Sequence, residues 1–329
     1  MTPALPERQP RRSPRWAWLR TPPIIALGLA VLLLLIGEGV RSGFASPEQI
    51  ANILRITAFL GIVAIGQTLV VLAGGEGIDL SVGAVMTLGA VIVYRFTAGH
   101  NELLIPVLLT ALAAGFLIGV VNGLGVALVR IPPLVMTLGM TGVVKGLILV
   151  VTGGRISGAM PPIMANIVSA SWVAGLAGSV FIWVLLGVGV SLLLQRTRYG
   201  KAVYAVGASP RAARLSGMRV ERLTVLTYGL SGMFAALAGA VLLGYTQSVF
   251  ITLGDSYTLP SIAAVVLGGT TLAGGVGGYA GTMTGALVLT LISSLLITLG
   301  LPEFGRQIVY GLILLALLSV YGRQRGLRS

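Results

Sequence analysis

Residues 104–129 read LIPVLLTALAAGFLIGVVNGLGVALV, without one charged side chain. A soluble helix of this length would carry a polar face. At 1.5 Å per residue it rises about 39 Å, more than the ~30 Å hydrocarbon core of a bilayer. Runs of the same kind recur on both sides, near 24–39, 53–73, 80–96, 134–151, 173–194, 223–245, 259–273, 280–299 and 307–321. The third and eighth of the ten, 80–96 and 259–273, are the weakest. The third is interrupted by small and polar residues, and the eighth runs into GGTTLAGGVGG, so either can be a broken or re-entrant helix. Such irregular backbone is tolerated at membrane depth only inside protein or beside a cavity.

The whole chain agrees with this reading. Of 329 residues 56% are hydrophobic and 9% charged, against roughly 25% charged in a soluble domain. That excludes a soluble enzyme and a disordered chain, and predicts an all-α polytopic membrane protein of about ten transmembrane helices. The net charge of +13 does not read as a nucleic-acid surface, because the basic residues sit at the chain ends and in one loop. Arg8, Arg11, Arg12, Arg15 and Arg20 precede the first run, and Arg130 lies between the fourth and fifth. Arg196, Arg198, Lys201, Arg211, Arg214, Arg219 and Arg222 follow the sixth, and Arg323, Arg325 and Arg328 end the chain. With ten spans and a cytoplasmic N-terminus, all sixteen of these, out of 22 Lys and Arg, face the cytoplasm. That is the positive-inside pattern, and it requires an even span count with both termini inside. The expected organisation is a basic tail over 1–22, a transmembrane domain over 23–322 with a cytoplasmic loop at 195–222, and a basic tail over 323–329. No small-x-small cleavage site directly follows the first apolar run, so it is expected to stay as a span.

Chemistry is sparse. There is no cysteine and one histidine, His100, so thiolate and histidine-rich metal sites and a catalytic Ser–His pair in the membrane are poorly supported. No metal site and no catalytic residues are expected. GGVGGYAG lacks the strand and lysine of a phosphate-binding loop. The 47 glycines are about twice the ~7% average. Spacings such as Gly115–Gly119–Gly123 and Gly277–Gly281–Gly285 predict closely packed helices.

Within the basic loop, Ser209-Pro210-Arg211-Ala212-Ala213-Arg214-Leu215-Ser216-Gly217 carries the marks of a short helix. Ser209 is the N-cap, Pro210 the first turn and Gly217 the stop. Too short to cross, it can dock into a groove on a soluble partner; a solvated basic loop is the plainer alternative. Asp79, in GIDLSVG, sits where a carboxylate can cap the third helix; a proton-relay or substrate role is the alternative. Lys145, well inside its span, can snorkel, pair with a carboxylate or meet substrate. Polar side chains on apolar helices that could line a passage are Gln67, Asn122, Thr137, Tyr245, Gln247 and Ser293. Each alone serves equally as an interhelical hydrogen bond.

Five stretches in order resemble one family. They are GIDLSVGAV (77–85), VNGLGVALVRIPPLVMTLGM (121–140), KGLILVVTGG (145–154), TRYGKAVYAVGASPRAARLSGM (197–218) and IAAVVLGGTTLAGGVGGYAGTMTGAL (262–287). Together they are similar to ABC-importer permeases of the ribose/simple-sugar type, over about residues 50–320. Gly77, Asp79, Ser81, Gly83, Lys145, Gly268 and Gly269 fall on its signature positions, with Lys145 where the family usually has Arg. Glu76 and Gly77 interrupt the usual Gly-Gly-Ile-Asp, and Tyr257-Thr258-Leu259-Pro260 stands where Tyr-Glu-Leu-Asp is common. The resemblance implies a bacterial inner-membrane permease paired with a second permease chain. An ATP-binding subunit would bind ATP and Mg, and this chain would hold no cofactor. A periplasmic or lipid-anchored binding protein would supply a simple sugar, and the 209–217 helix would be the coupling helix for the ATPase. The alternative, an ion-coupled secondary carrier, predicts clustered membrane carboxylates and internal inverted repeats. Neither is evident in the sequence.

Overall fold

The computed structural model describes residues 21–325, with residues 317–325 as backbone. The arginines of the N-terminal tail and Arg328 lie outside the described residues, and so do the side chains of Arg323 and Arg325. The chain is helical almost throughout: α1 (Pro22–Val40), α2 (Pro47–Leu72), α3 (Val82–Thr97), α4 (Leu104–Leu124), α5 (Pro133–Thr152), α6 (Pro162–Val168), α7 (Gly178–Arg196), α8 (Arg198–Ala208), α9 (Pro210–Leu215), α10 (Val220–Thr246), α11 (Thr258–Leu267), α12 (Tyr279–Thr298) and α13 (Glu303–Arg325). A small hairpin, β1 (Ser171–Val173) and β2 (Leu176–Ala177), precedes α7. It occupies the start of the expected 173–194 span, because the positive φ of Ala174 and Gly175 turns the chain there.

Among the described residues, seven helices are long and apolar enough to cross a membrane: α1, α2, α4 with its short 3-10 and π-helical extensions (101–129), α5, α7, α10 and α12. α3 has 16 residues and α11 ten, rises of about 24 and 15 Å. The second is half a bilayer. α11 stops at Leu267, short of the expected 273, because Gly268 packs against the backbone of Gly281 and Gly269 turns with φ +87°.

α2 and α10 form the centre, where Ile62, Val63, Ile65, Leu69 and Leu243 are fully buried. The outer helices α1, α4, α5 and α7 expose Leu35, Leu117, Val150 and Leu185, each by more than 60%. Hydrocarbon tolerates such a surface and water does not. The seam between α4 and α10 is made by glycine. A Cβ on Gly115, Gly119 or Gly123 would run into the backbone of Gly232, Tyr228 or Val225 in turn. With no side chain between them, the two backbones touch directly, which is how packing replaces the hydrophobic drive between helices in lipid.

The helix order repeats. A long helix, a short one and two long ones make α2–α5, and the same order makes α10–α13. α2 and α10 are antiparallel: Phe59 lies against Tyr245 with centroids 5.3 Å apart and the rings tilted by 38°, while Gly66 meets Ser231 farther along. Each short helix packs on the long helix of the other set, α3 on α10 and α11 on α2. The inverted repeat that the sequence conceals is therefore present in the helices.

Candidate functional site

The non-helical turn between α2 and α3 is held by side chains from four helices. Asp79 is fully buried. Its Oδ1 accepts from the Ser81 backbone N–H (3.0 Å) and hydroxyl (2.6 Å). Its Oδ2 accepts from the Ser231 hydroxyl of α10 at 2.8 Å. The carboxylate thus closes the turn ahead of α3 and ties it to the central helix, but it does not cap α3 itself: the N-cap position is Ser81, and Asp79 bonds no N–H of the helix. Ser81 accepts in addition from the Asn122 amide of α4, at 2.9 Å. The Gln67 amide of α2, in the orientation that satisfies both groups, donates to the Asp79 carbonyl (3.2 Å) and accepts from the Asp79 N–H (3.3 Å). From α5, the Thr137 hydroxyl accepts from the Leu80 N–H at 3.1 Å, and Thr141 donates to the Leu80 carbonyl at 3.2 Å. A buried turn has to satisfy its backbone polar groups, and these long-range contacts do so.

The six pathway candidates do not converge. Gln67, Asn122 and Thr137 are fully buried around this turn. Tyr245 and Gln247 lie at the far end of α10, exposed, with the Arg55 guanidinium 5.9 Å from the Tyr245 ring centroid. Ser293, on α12, accepts from Arg306 of α13 at 3.2 Å. Ser231 and Thr141 escaped the sequence reading, since a lone hydroxyl in an apolar helix carries no signal until its partner is known.

Lys145 meets the carboxylate of Asp255 at 2.7 Å, joining α5 to the segment that leads into α11. That segment also touches α3: the Gly254 N–H donates to Thr87 Oγ1 at 2.9 Å, and a Cβ on Gly83 would strike Thr258 Oγ1. The lead into α11 is therefore packed against the first turns of α3. A cavity of about 560 Å³ opens beside Asp255, Ser256, Gln307 and Tyr310. Another, of about 650 Å³, lies against the lead into α3, between Gly74, Arg130, Arg214 and Tyr228.

The second cavity borders the short helix α9. Ser209 Oγ accepts from the Ala212 N–H at 3.2 Å, Pro210 fills the first turn, and Gly217 ends it with φ +81°. Ala213 alone in α9 is buried, packed on Val206 and Val220. Arg211, Ala212, Arg214 and Leu215 face outward, Leu215 with 85% of its surface exposed. Arg214 pairs with Glu221 at 3.0 Å. α8 carries α9 and is fixed to α10 by Tyr199, whose hydroxyl lies 3.1 Å from that of Thr227. Burial pushes the Tyr199 phenol up to about 12, so it stays neutral and keeps that bond at ordinary pH.

The chain can be compared with known proteins. The family model described as branched-chain amino acid transport system / permease component matches residues 49–318. The ribose import permease protein RbsC of Bacillus subtilis (strain 168) is 36% identical over 290 residues, 88% of this chain and 89% of that protein. RbsC of Escherichia coli (strain K12) is 34% identical over 315 residues, 94% and 96% of the two chains. The autoinducer 2 import system permease protein LsrC of Shigella flexneri is 34% identical over 304 residues, 92% and 87%. No solved structure matches. With the family model spanning most of its length and relatives aligned nearly end to end, this chain belongs to the branched-chain amino acid transport system permease family, and within it to the ABC-importer permeases of the ribose/simple-sugar type.

Proposed function

We propose that this chain is the permease subunit of an ATP-driven importer that carries a simple sugar, ribose-like or a related polyol or glycoside, across the bacterial inner membrane. The observation that carries the reading is its near end-to-end similarity to permeases named for ribose and autoinducer 2 import. We infer ten crossings, made by the seven long helices with α3, α11 and α13, and both termini in the cytoplasm. The domain limits at 23 and 322 follow from that count. The basic loop at 195–222 supports this orientation.

In this reading α9 is the coupling helix. A capped helix standing on one buried alanine, with an exposed leucine at its end, suits a shallow groove on a soluble subunit. That subunit would hold ATP and Mg and do the hydrolysis. Arg211 and Arg214 would add screened surface pairs worth about 0–1 kcal/mol each, so shape would dominate. A second permease chain would complete the pathway, and a periplasmic or lipid-anchored binding protein would deliver the sugar. Of the pathway candidates, Tyr245, Gln247 and Ser293 would serve at the outer end, while Gln67, Asn122 and Thr137 would act by holding the turn at Asp79.

Two measurements test this. Titrating the binding protein that serves this permease with a panel of monosaccharides should give one tight sugar, and a preference for branched-chain amino acids would overturn the sugar assignment. Disrupting Ala212–Leu215 should release the ATPase subunit from a folded permease. Unchanged co-purification would remove α9 from the coupling role.

A further inference from the structure

Three separate stretches of chain meet behind α9 with only backbone between them. The first is the end of α2 at Leu72–Gly74, which leads into the turn at Asp79. The second is the end of α8 at Gly207, three residues before Pro210 of α9. The third is the loop 268–278, which joins α11 to α12. The Gly275 N–H donates to the Leu72 carbonyl at 2.9 Å. A Cβ on Gly207 would overlap that same Leu72 carbonyl and the Gly275 nitrogen. A Cβ on Gly275 would lie 2.6 Å from the Ala208 nitrogen, and one on Gly74 would lie 3.0 Å from the Gly207 Cα. A Cβ on Gly274 would strike the Gly74 Cα. Gly74, Gly274 and Gly275 also have φ of +78°, +89° and +72°, where a side chain is strained. The Tyr204 hydroxyl of α8 donates to the Gly277 carbonyl at 2.9 Å and adds one side-chain tie.

Side-chain contacts can absorb a displacement by changing rotamer. Backbones already at contact distance cannot, because packed interiors have little room to compress. A tilt of α8 and α9 therefore moves the lead into α3 and the loop after α11 together. The second turn of α3 is linked again to the segment that leads into α11, through Thr87 and Gly254.

We propose that the meeting of Gly74, Gly207, Gly274 and Gly275 is the joint that carries movement of α9 to α3 and α11. On this account, Gly207 is a positioning residue for transport. The inference rests on the reading of α9 as the coupling helix.

The experiment uses the whole complex of permease, ATPase subunit and binding protein in proteoliposomes, measuring ATP hydrolysis and ATP-driven sugar uptake side by side. Gly207→Ala improves helix propensity and clashes only at the joint. It should keep the ATPase subunit bound and basal hydrolysis within twofold while uptake falls at least tenfold, raising the ATP spent per sugar. Tyr204→Phe, which removes one hydrogen bond, should lower uptake two- to fivefold in the same pattern. Gly189→Ala, on α7 with open space around it, should change nothing. Uptake within twofold of normal in Gly207→Ala overturns the proposal. If that variant does not assemble, normal uptake in Tyr204→Phe overturns it instead. A variant disrupted at Ala212–Leu215 separates the two readings. If it retains the ATPase, the coupling-helix reading fails; if it loses the ATPase while Gly207→Ala transports normally, only the joint fails.

Discussion

The hydroxyl of Ser231 on α10 donates to Asp79 Oδ2 at 2.8 Å, fastening the turn before α3 to a helix 152 positions away in sequence. Both residues are fully buried, so the bond is made where an unpaired charge is costly. Ser231→Ala should lower stability by about 1–3 kcal/mol, and Asp79→Ala by more, since three donors then lose their acceptor. The double variant should fall well short of the sum of the two, because the sites share one interaction. Thermal unfolding of the purified permease in detergent checks this. Additive losses would show that the two side chains act independently.

The ion pair of Lys145 with Asp255 links α5 to the lead into α11 at 2.7 Å. Asp255 also lines the cavity of about 560 Å³, and a pair wetted through that cavity should contribute no more than about 1 kcal/mol. Lys145→Ala and Asp255→Asn should therefore leave the protein folded with nearly normal unfolding temperatures. Uptake assays should place their effect on transport, with the double variant no worse than the worse single one. A large loss of folded protein in either single variant would contradict this weight.

The α4–α10 seam makes a sharper stability prediction. Gly119 faces the Tyr228 carbonyl so closely that any Cβ overlaps it. Gly119→Ala should cost about 1–3 kcal/mol through forced separation of the helices, and Gly119→Leu should abolish the folded protein. Gly189→Ala, with nothing near its Cβ position, should be neutral or slightly stabilising. Detergent-solubilised yield and unfolding temperature read both effects.

Apolar runs and glycine spacing made most helices and the seam legible, because both act along a single helix. The N-cap serine, first-turn proline and stop glycine of α9 were legible for the same reason. Three things were not. The hairpin at 171–177 sat at the edge of an apolar run whose turn depends on Ala174 and Gly175. The inverted repeat is carried by helix length and packing partners, which need no shared residues. The roles of Ser231, Thr141 and Asp255 depend on partners far away in sequence. Asp79 read from sequence as a cap on α3; its carboxylate instead closes the turn on Ser81 and bonds Ser231 of α10, a partner far away in sequence. The inverted order also occurs in ion-coupled carriers, and one measurement separates the two classes directly.

That measurement is sugar uptake by proteoliposomes holding this permease, its ATPase subunit and its binding protein, with the ATPase either intact or inactivated. The account predicts uptake that requires ATP and ceases when the ATPase is inactivated, whatever ion gradient is imposed. Uptake that persists without a working ATPase, driven by a proton or sodium gradient, would contradict it.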